Sequence, residues 1–421
     1  MERGAVQDRV QAADGCPVAY PSVEGAECPY PFYSWAHREH PVYQLPGKSV
    51  YFVSRHEDVR FVTEHPEIFS SVGKTLGSKP EPQPTTASGV EIRAMMESDG
   101  ADHDAHRKFT SQLLEPRAMR GYRPMIEAIS SELIDSFIER GHCDFVTDYA
   151  NKLPGLVTAR VAGLPDSLVE DLRAWGQIEA SGAPFLPPER FAEHLATRNS
   201  MISYVRKALE ERLQSPRNDG LTHLLQVQQQ RDGQLSLPYV TLQAAVFLAG
   251  GTTTTAHMLA MALLLLIQHP EQMQKVASNS KAIGPFIEEA LRLESPVQWV
   301  TRRVATDTVL GGAHMASGSH VIIGFGAANR DDAEFQAADR FDAERKGVNR
   351  HVAFGRGPHT CIGQLLARTE MMIAFEHLLA RLKNIALAPG ADLSHIESPS
   401  FRGLKSLRIH FDPGPRIAPA T

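Results

Sequence analysis

Residues 244–267 carry no Asp, Glu, Lys or Arg. A helix that is apolar all round has no face to give to water, so such a run is buried either in protein or in lipid. The middle of the run decides between the two. Gly250-Gly251-Thr252-Thr253-Thr254-Thr255 places two glycines and four hydroxyls where hydrocarbon would offer no partner. The run therefore predicts a long helix through the centre of a protein core, and a chain of 421 residues can build that core.

Periodicity elsewhere is mostly helical, over residues 118–140, 196–213, 242–268, 283–293 and 363–382. Strand-like alternation is confined to 49–54, 320–323 and 406–411, with a short helix over 56–65. No shift in composition marks a second domain. The expected organisation is a flexible tail over 1–29 and one domain over 30–421, mainly α with a smaller β-rich region (α+β). A net charge of −6 gives no reason to expect nucleic acid or an anionic membrane as partner. Cys16, Cys28, Cys143 and Cys361 are too few for a disulfide framework, and residues 1–30 hold no apolar stretch of signal-peptide length. The expected compartment is a reducing cytoplasm.

The strongest chemical signal is Phe354-Gly355-Arg356-Gly357-Pro358-His359-Thr360-Cys361-Ile362-Gly363, followed by an amphipathic helix. Glycines let backbone pass close to a flat cofactor, and a cysteine at a helix start receives positive potential and free N–H groups, which suits a metal thiolate. A buried structural cysteine is the plainer reading. Zinc would need a second ligand pair beside His359 and Cys361, and the sequence shows none.

This stretch resembles the cysteine-ligand loop of the cytochrome P450 superfamily at every fixed position, and Leu366-Ala367-Arg368 continues that family's helix. The resemblance runs from about Tyr30 onward. It implies the P450 fold with a long central helix over a haem b (iron protoporphyrin IX). Cys361 would be the axial iron ligand, a thiolate that favours O–O cleavage, with Phe354 and Gly355 in the cofactor-binding loop. The propionates would be held by His103, Arg107, Arg303 and His359, since two buried carboxylates need cations. Glu289 and Arg292 match the family's Glu-x-x-Arg pair, and Arg340 in Asp339-Arg340-Phe341-Asp342 sits where its partner arginine is expected. These three are assigned a structural role.

Family members usually carry an acid followed by a threonine in the central helix, the pair managing protons for dioxygen. Aligned so, Thr253 takes the place of the acid and Thr254 that of the threonine; shifted by one residue, Thr252 and Thr253 take them, and no acid occurs in either register or anywhere between Gly233 and Pro270. A hydroxyl can donate to a bound oxygen and back-bond to a helix carbonyl, but it cannot cycle protons as a carboxylate does. Proton delivery then falls to ordered water, to a substrate group or to a histidine such as His257, which packing alone would also explain as a core residue. A poorly coupled enzyme that accepts peroxide is the alternative.

By resemblance the substrate walls fall in residues 72–96, 179–191, 247–251, 297–300 and 399–403. Phe185, Phe247, Gly250, Gly251, Val297, Trp299, Val300 and Phe401 suggest a small apolar or aromatic substrate. With no Gly-x-Gly-x-x-Gly opening a βαβ unit, electrons must come from outside, from a ferredoxin and an NAD(P)H-dependent ferredoxin reductase. Arg107, Lys108, Arg345, Lys346, Arg350 and Arg356 form a candidate landing patch for that acidic partner. The function implied is an O2-dependent haem-thiolate monooxygenase acting without membrane or nucleic acid. A peroxide-using or isomerising enzyme of the same fold is the runner-up, and a haem-based sensor comes third.

Overall fold

In a computed structural model, residues 18–76, 80, 82–180 and 188–416 are described. The uncharged run forms two helices, Leu237–Gly250 and Thr253–Gln268, rather than the single helix expected over 242–268. The cause lies in its polar centre. Gly251 and Thr252 form a turn between the two helices, and the Thr254 hydroxyl donates to the Gly250 carbonyl at 3.1 Å. A side chain that takes a carbonyl from the ladder in this way loosens or breaks the helix.

Protein, not lipid, covers both halves: every residue from Thr255 to Leu266 is buried. The helices Lys152–Ala162, Val169–Ala180 and Pro188–Gln214 pack along the first half and the break. Ile283–Leu293 and Gln364–Arg381 pack along the second. Gly176 allows the closest approach, since a Cβ there would overlap the hydroxyls of Thr252 and Thr253.

Beside this helical body lies a five-stranded sheet in the order Val42–Gln44, Val50–Val53, His320–Gly324, Trp299–Val304, Phe69–Ser70. Only the pair Val50–Val53 and His320–Gly324 is parallel. Successive side chains of Trp299–Val304 alternate between the faces, so Arg302 is buried where Arg303 is half-buried. Trp299 joins an aromatic cluster with Tyr20, Phe32, Tyr33 and Phe52.

That cluster corrects the expected tail. Residues 18–29 are not loose: Tyr20 is 1% exposed, and Val23–Glu27 is a helix. Tyr30 donates to Glu294 Oε1 at 2.8 Å. Arg402 donates to Glu294 Oε2 at 2.8 Å and to the Ala26 carbonyl at 3.1 Å, and Arg330 lies 3.8 Å over the Tyr30 ring.

Candidate active site

Cys361 sits between the short turn Gly357–His359 and the helix Gln364–Arg381. Its N–H donates to the Phe354 carbonyl at 2.7 Å, which closes the loop. Gly355 and Gly357 both take left-handed backbone at φ +68° and +71°; a Cβ on Gly357 would also overlap the Thr63 carbonyl. Burial raises the thiol above its ordinary value, while the amides of Gly363 and Gln364 and the guanidiniums of Arg107 and Arg368 favour the thiolate. The residue is nonetheless accessible, unlike buried Cys143. A sulfur ringed by helix amides and two arginines, yet open on one side, has the donor chemistry of a thiolate metal ligand.

Behind the loop stands an ion-pair frame. Glu289 and Arg292 are both fully buried and paired twice, at 2.8 and 2.9 Å. The third member is Arg345, whose Nε donates to both Glu289 oxygens at 3.0 Å. Arg340 does not reach them: its side chain is 73% exposed, and only its carbonyl joins, accepting from Arg345 at 2.7 Å. Phe341 explains the correction. It is buried against Phe286, so Arg340 beside it is turned outward. Glu288 extends the frame to the loop through a two-point pair with Arg368, and Arg368 covers the Phe354 ring at 4.4 Å.

The expected propionate cations fall into two groups. His103 is 1% exposed, its ring lies 4.2 Å from that of His359, and its Nε2 has no partner among the described residues. His359 shares a hydrogen bond of 3.0 Å with Ser71, and burial followed by nearby Arg302 and His103 pushes it down to about 4 despite Asp99 at 3.5 Å. Arg107 donates to the Thr360 carbonyl at 2.7 Å. Arg303 stands apart, facing Gly318 and His320. Its neighbour Arg302, which sequence reasoning missed, belongs with His359 and Asp99. Strand alternation is the reason, and it was a usable signal. Arg302 is 6% exposed, its one hydrogen bond runs to the Thr301 carbonyl, no carboxylate pairs with it among the described residues, and burial pushes it down to about 10. A buried guanidinium without a carboxylate and a buried imidazole nitrogen without a partner fit a dicarboxylate cofactor.

On the central helix, Gly250 is exposed next to buried Phe247, Leu248 and Ala249, and a Cβ on it would meet nothing within 4 Å. Gly251 instead faces Thr158, at 2.9 Å from a Cβ. Thr254 shares the Gly250 side through its hydrogen bond. Thr253 is turned to Gly176, and its hydroxyl has no partner among the described residues. His257 is buried but not satisfied: its ring packs on Gly403, its Nδ1 has no partner there, and burial pushes it down to about 4.

Of the expected substrate walls, Val297 bridges Phe401, and Val300 lies with it on one side of the sheet. Phe247 is buried in the helical core. Trp299 is a correction: it faces the aromatic cluster, and its Nε1 donates to the Pro399 carbonyl at 2.6 Å, so it holds the wall instead of lining it. Phe185 lies outside the described residues. The landing patch also shrinks, because Arg345 is interior, Arg350 pairs with Glu334, and Arg356 pairs with Glu64 at 2.5 Å.

A cytochrome P450 family profile matches residues 189–401. Cytochrome P450 CYP107DY1 of Priestia megaterium is 31% identical over 366 residues, covering 85% of this chain and 88% of that relative. Vitamin D(3) 25-hydroxylase of Pseudonocardia autotrophica is 30% identical over 394 residues, covering 93% and 95%. Among solved structures, CYP109E1 from Bacillus megaterium in complex with testosterone superposes with a TM-score of 0.83 at 27% identity, over 92% of this chain and 99% of that one.

Proposed function

This chain belongs to the cytochrome P450 family, and from that membership we propose that Cys361 ligates the haem iron, that His103, Arg107, Arg302 and His359 hold the propionates, and that Thr254 handles dioxygen. The class itself is a haem monooxygenase, an oxidoreductase that takes O2, a small-molecule substrate and electrons from a redox partner. The observation that carries the residue assignment is the exposed Cys361 among helix amides, with the partnerless Nε2 of buried His103 and the buried Arg302 guanidinium, which has no carboxylate partner among the described residues, beside it.

The bound haem would supply the iron at which dioxygen is activated. The chain supplies the rest. The loop fixes the sulfur, and the Glu289 frame keeps the loop from moving. Thr254 holds its proton on the Gly250 carbonyl and would be the hydroxyl donor offered to dioxygen, while Gly250 leaves space beside the helix. Val297, Val300, Phe247 and Phe401 exclude water and select an apolar or aromatic substrate. Relatives named for vitamin D(3) hydroxylation and testosterone binding support a largely apolar molecule.

The electron donor is a ferredoxin fed by its reductase, docking on the face of the ligand loop, where a cavity of ≈ 410 Å³ is lined by Glu64, Phe354, Arg356 and Gln364. Lys346 and Lys108 are the exposed cations left there for an acidic partner. Charge reversal at Lys346 should slow reduction and flatten its salt dependence; an unchanged rate rejects this docking face. The protein is placed in the cytoplasm with that partner, and its organisation is one catalytic domain. Peroxide-driven turnover is the second reading, favoured by the absence of any acid between Gly233 and Pro270.

The deciding experiment is the absorption spectrum of the dithionite-reduced protein under carbon monoxide. A strongly red-shifted Soret band supports Cys361 as ligand, and a band at the histidine-ligated position rejects it. Product formed per NADH and per O2 then separates monooxygenation from peroxide use.

A further inference from the structure

The Glu289 frame and the Glu288 pair beside it are built differently. In the frame, Arg292 donates to the Asn329 and Ala338 carbonyls, and Arg345 donates to those of Gln336 and Arg340, so both arginines fix the course of the backbone. Arg368 does not. Its hydrogen bonds end on side chains only, at 2.7 and 2.9 Å on Glu288 and at 2.9 Å on Gln364. Among the described residues none of them holds the backbone of the ligand loop, so loop support does not account for this guanidinium.

What Arg368 does reach is the surroundings of the sulfur. It lies 4.4 Å over the ring of Phe354, the residue whose carbonyl accepts the Cys361 N–H. With Arg107 it is one of two guanidiniums whose charge favours the thiolate. Arg107 is committed to the Thr360 carbonyl and, in the reading above, to a propionate. Arg368 is left, and a carboxylate opposes it. Despite its burial, Glu288 is kept ionised by Arg368 and His351. The His351 Nδ1 accepts the Ala353 N–H at 3.1 Å, so Nε2 carries the proton that meets Glu288 at 3.0 Å. The carboxylate is thereby held in one place against the guanidinium.

We propose that Glu288 and Arg368 form an opposed charge pair that sets the reduction potential of the iron through the Cys361 sulfur. The electron comes from the redox partner, and one-electron reduction adds negative charge to the haem and its thiolate. A nearby cation favours that step and a nearby carboxylate resists it. Arg368 therefore draws the potential up, and Glu288 holds it down. The two side chains are 30% and 19% exposed, so water and salt screen the pair and its effect is moderate. Both are positioning residues that act through Cys361, and the inference rests on Cys361 as the iron ligand.

The test is a spectroelectrochemical titration of the full haem-loaded chain without substrate, with the infrared C–O stretch of the ferrous carbonyl form as a second readout. Glu288→Gln should favour the ferrous state about tenfold, which is about 59 mV for one electron. Arg368→Gln should disfavour it by a similar factor. Arg368→Lys keeps the charge but gives up the two-point bond, and should stay close to the unmutated value. The C–O stretch should rise in Glu288→Gln and fall in Arg368→Gln, as the sulfur donates less or more. A pair that only supports the loop would be loosened by either substitution and would move the potential in one direction. Shifts of the same sign, or Arg368→Lys behaving as Arg368→Gln does, overturn the proposal. If Arg368→Gln binds haem poorly, the absence of a rise in Glu288→Gln overturns it alone. A red-shifted carbon monoxide band without the opposed shifts rejects the pair only, whereas a histidine-type band in the unmutated protein rejects Cys361 as ligand and the pair with it.

Discussion

The two sides of the candidate haem site follow opposite rules. On the Cys361 side, Glu289 accepts from Arg292, Arg345 and the Asp342 amide, and Glu288 accepts from Arg368 and His351. On the central-helix side, the Thr253 hydroxyl and the His257 Nδ1 have no partner among the described residues, and Gly250 opens on free space. A side that carries a permanent ligand gains from having one arrangement only. A side that must admit oxygen, water and substrate in turn needs bonding capacity left unmet.

The comparison breaks most completely at Cys361. Cys361→Ser should abolish the red-shifted carbon monoxide band and all oxygenation while leaving far-ultraviolet circular dichroism intact; retained turnover would remove the ligand side from the chemistry. Next comes the frame. Arg345→Ala leaves Glu289 short of a partner in a fully buried site and should cost about 3 kcal/mol in urea unfolding, against less than about 0.5 kcal/mol for exposed Arg340→Ala. Equal losses would put the triad back at Arg340.

A smaller effect tests the cations. Arg302→Ala should speed haem loss to apomyoglobin about tenfold, roughly 1.4 kcal/mol, and Arg303→Ala should not. On the helix side, Thr254→Ala should raise hydrogen peroxide per NADH several-fold, and Thr253→Asp should lower it, if a carboxylate there can resume proton delivery. Coupling that is unchanged in both would mean that this side is not where protons are managed.

The smallest effect separates the sides by pH. Burial would raise the Glu288 carboxyl, but Arg368 and His351 outweigh it and bring the group from 4.5 to about 2. Because its folded value is depressed, its contribution is complete above about pH 4.5 and is lost as pH falls toward 2. Glu288→Gln should therefore flatten the acid dependence of unfolding in that window. A parallel loss in both proteins would show that the pair adds nothing.

Much of this was legible in sequence because it rests on local rules. The uncharged run, the glycine-flanked cysteine and the Glu289–Arg292 spacing each determine their own surroundings. The break at Gly251 and Thr252 was half visible: the polar centre was plain, but a hydroxyl taking the Gly250 carbonyl depends on a rotamer. Arg345 and Arg302 were missed for a shared reason. A motif gives the order of residues, whereas a turn or a strand decides which neighbour faces inward, and here buried Phe341 and the sheet made that choice.

The network around Glu294 reaches further than stability. Arg402, one residue past Phe401 in the wall, is tied through Glu294 to Tyr30 and directly to the Ala26 carbonyl. The start of the described chain and the Phe401 segment, proposed as a substrate wall, are thus parts of one brace. Anyone shortening the protein, or fusing an electron-transfer domain ahead of it, would do well to leave everything from Val18 onward untouched, because a trim at residue 30 removes the Ala26 carbonyl that holds Arg402, 376 residues further along the chain.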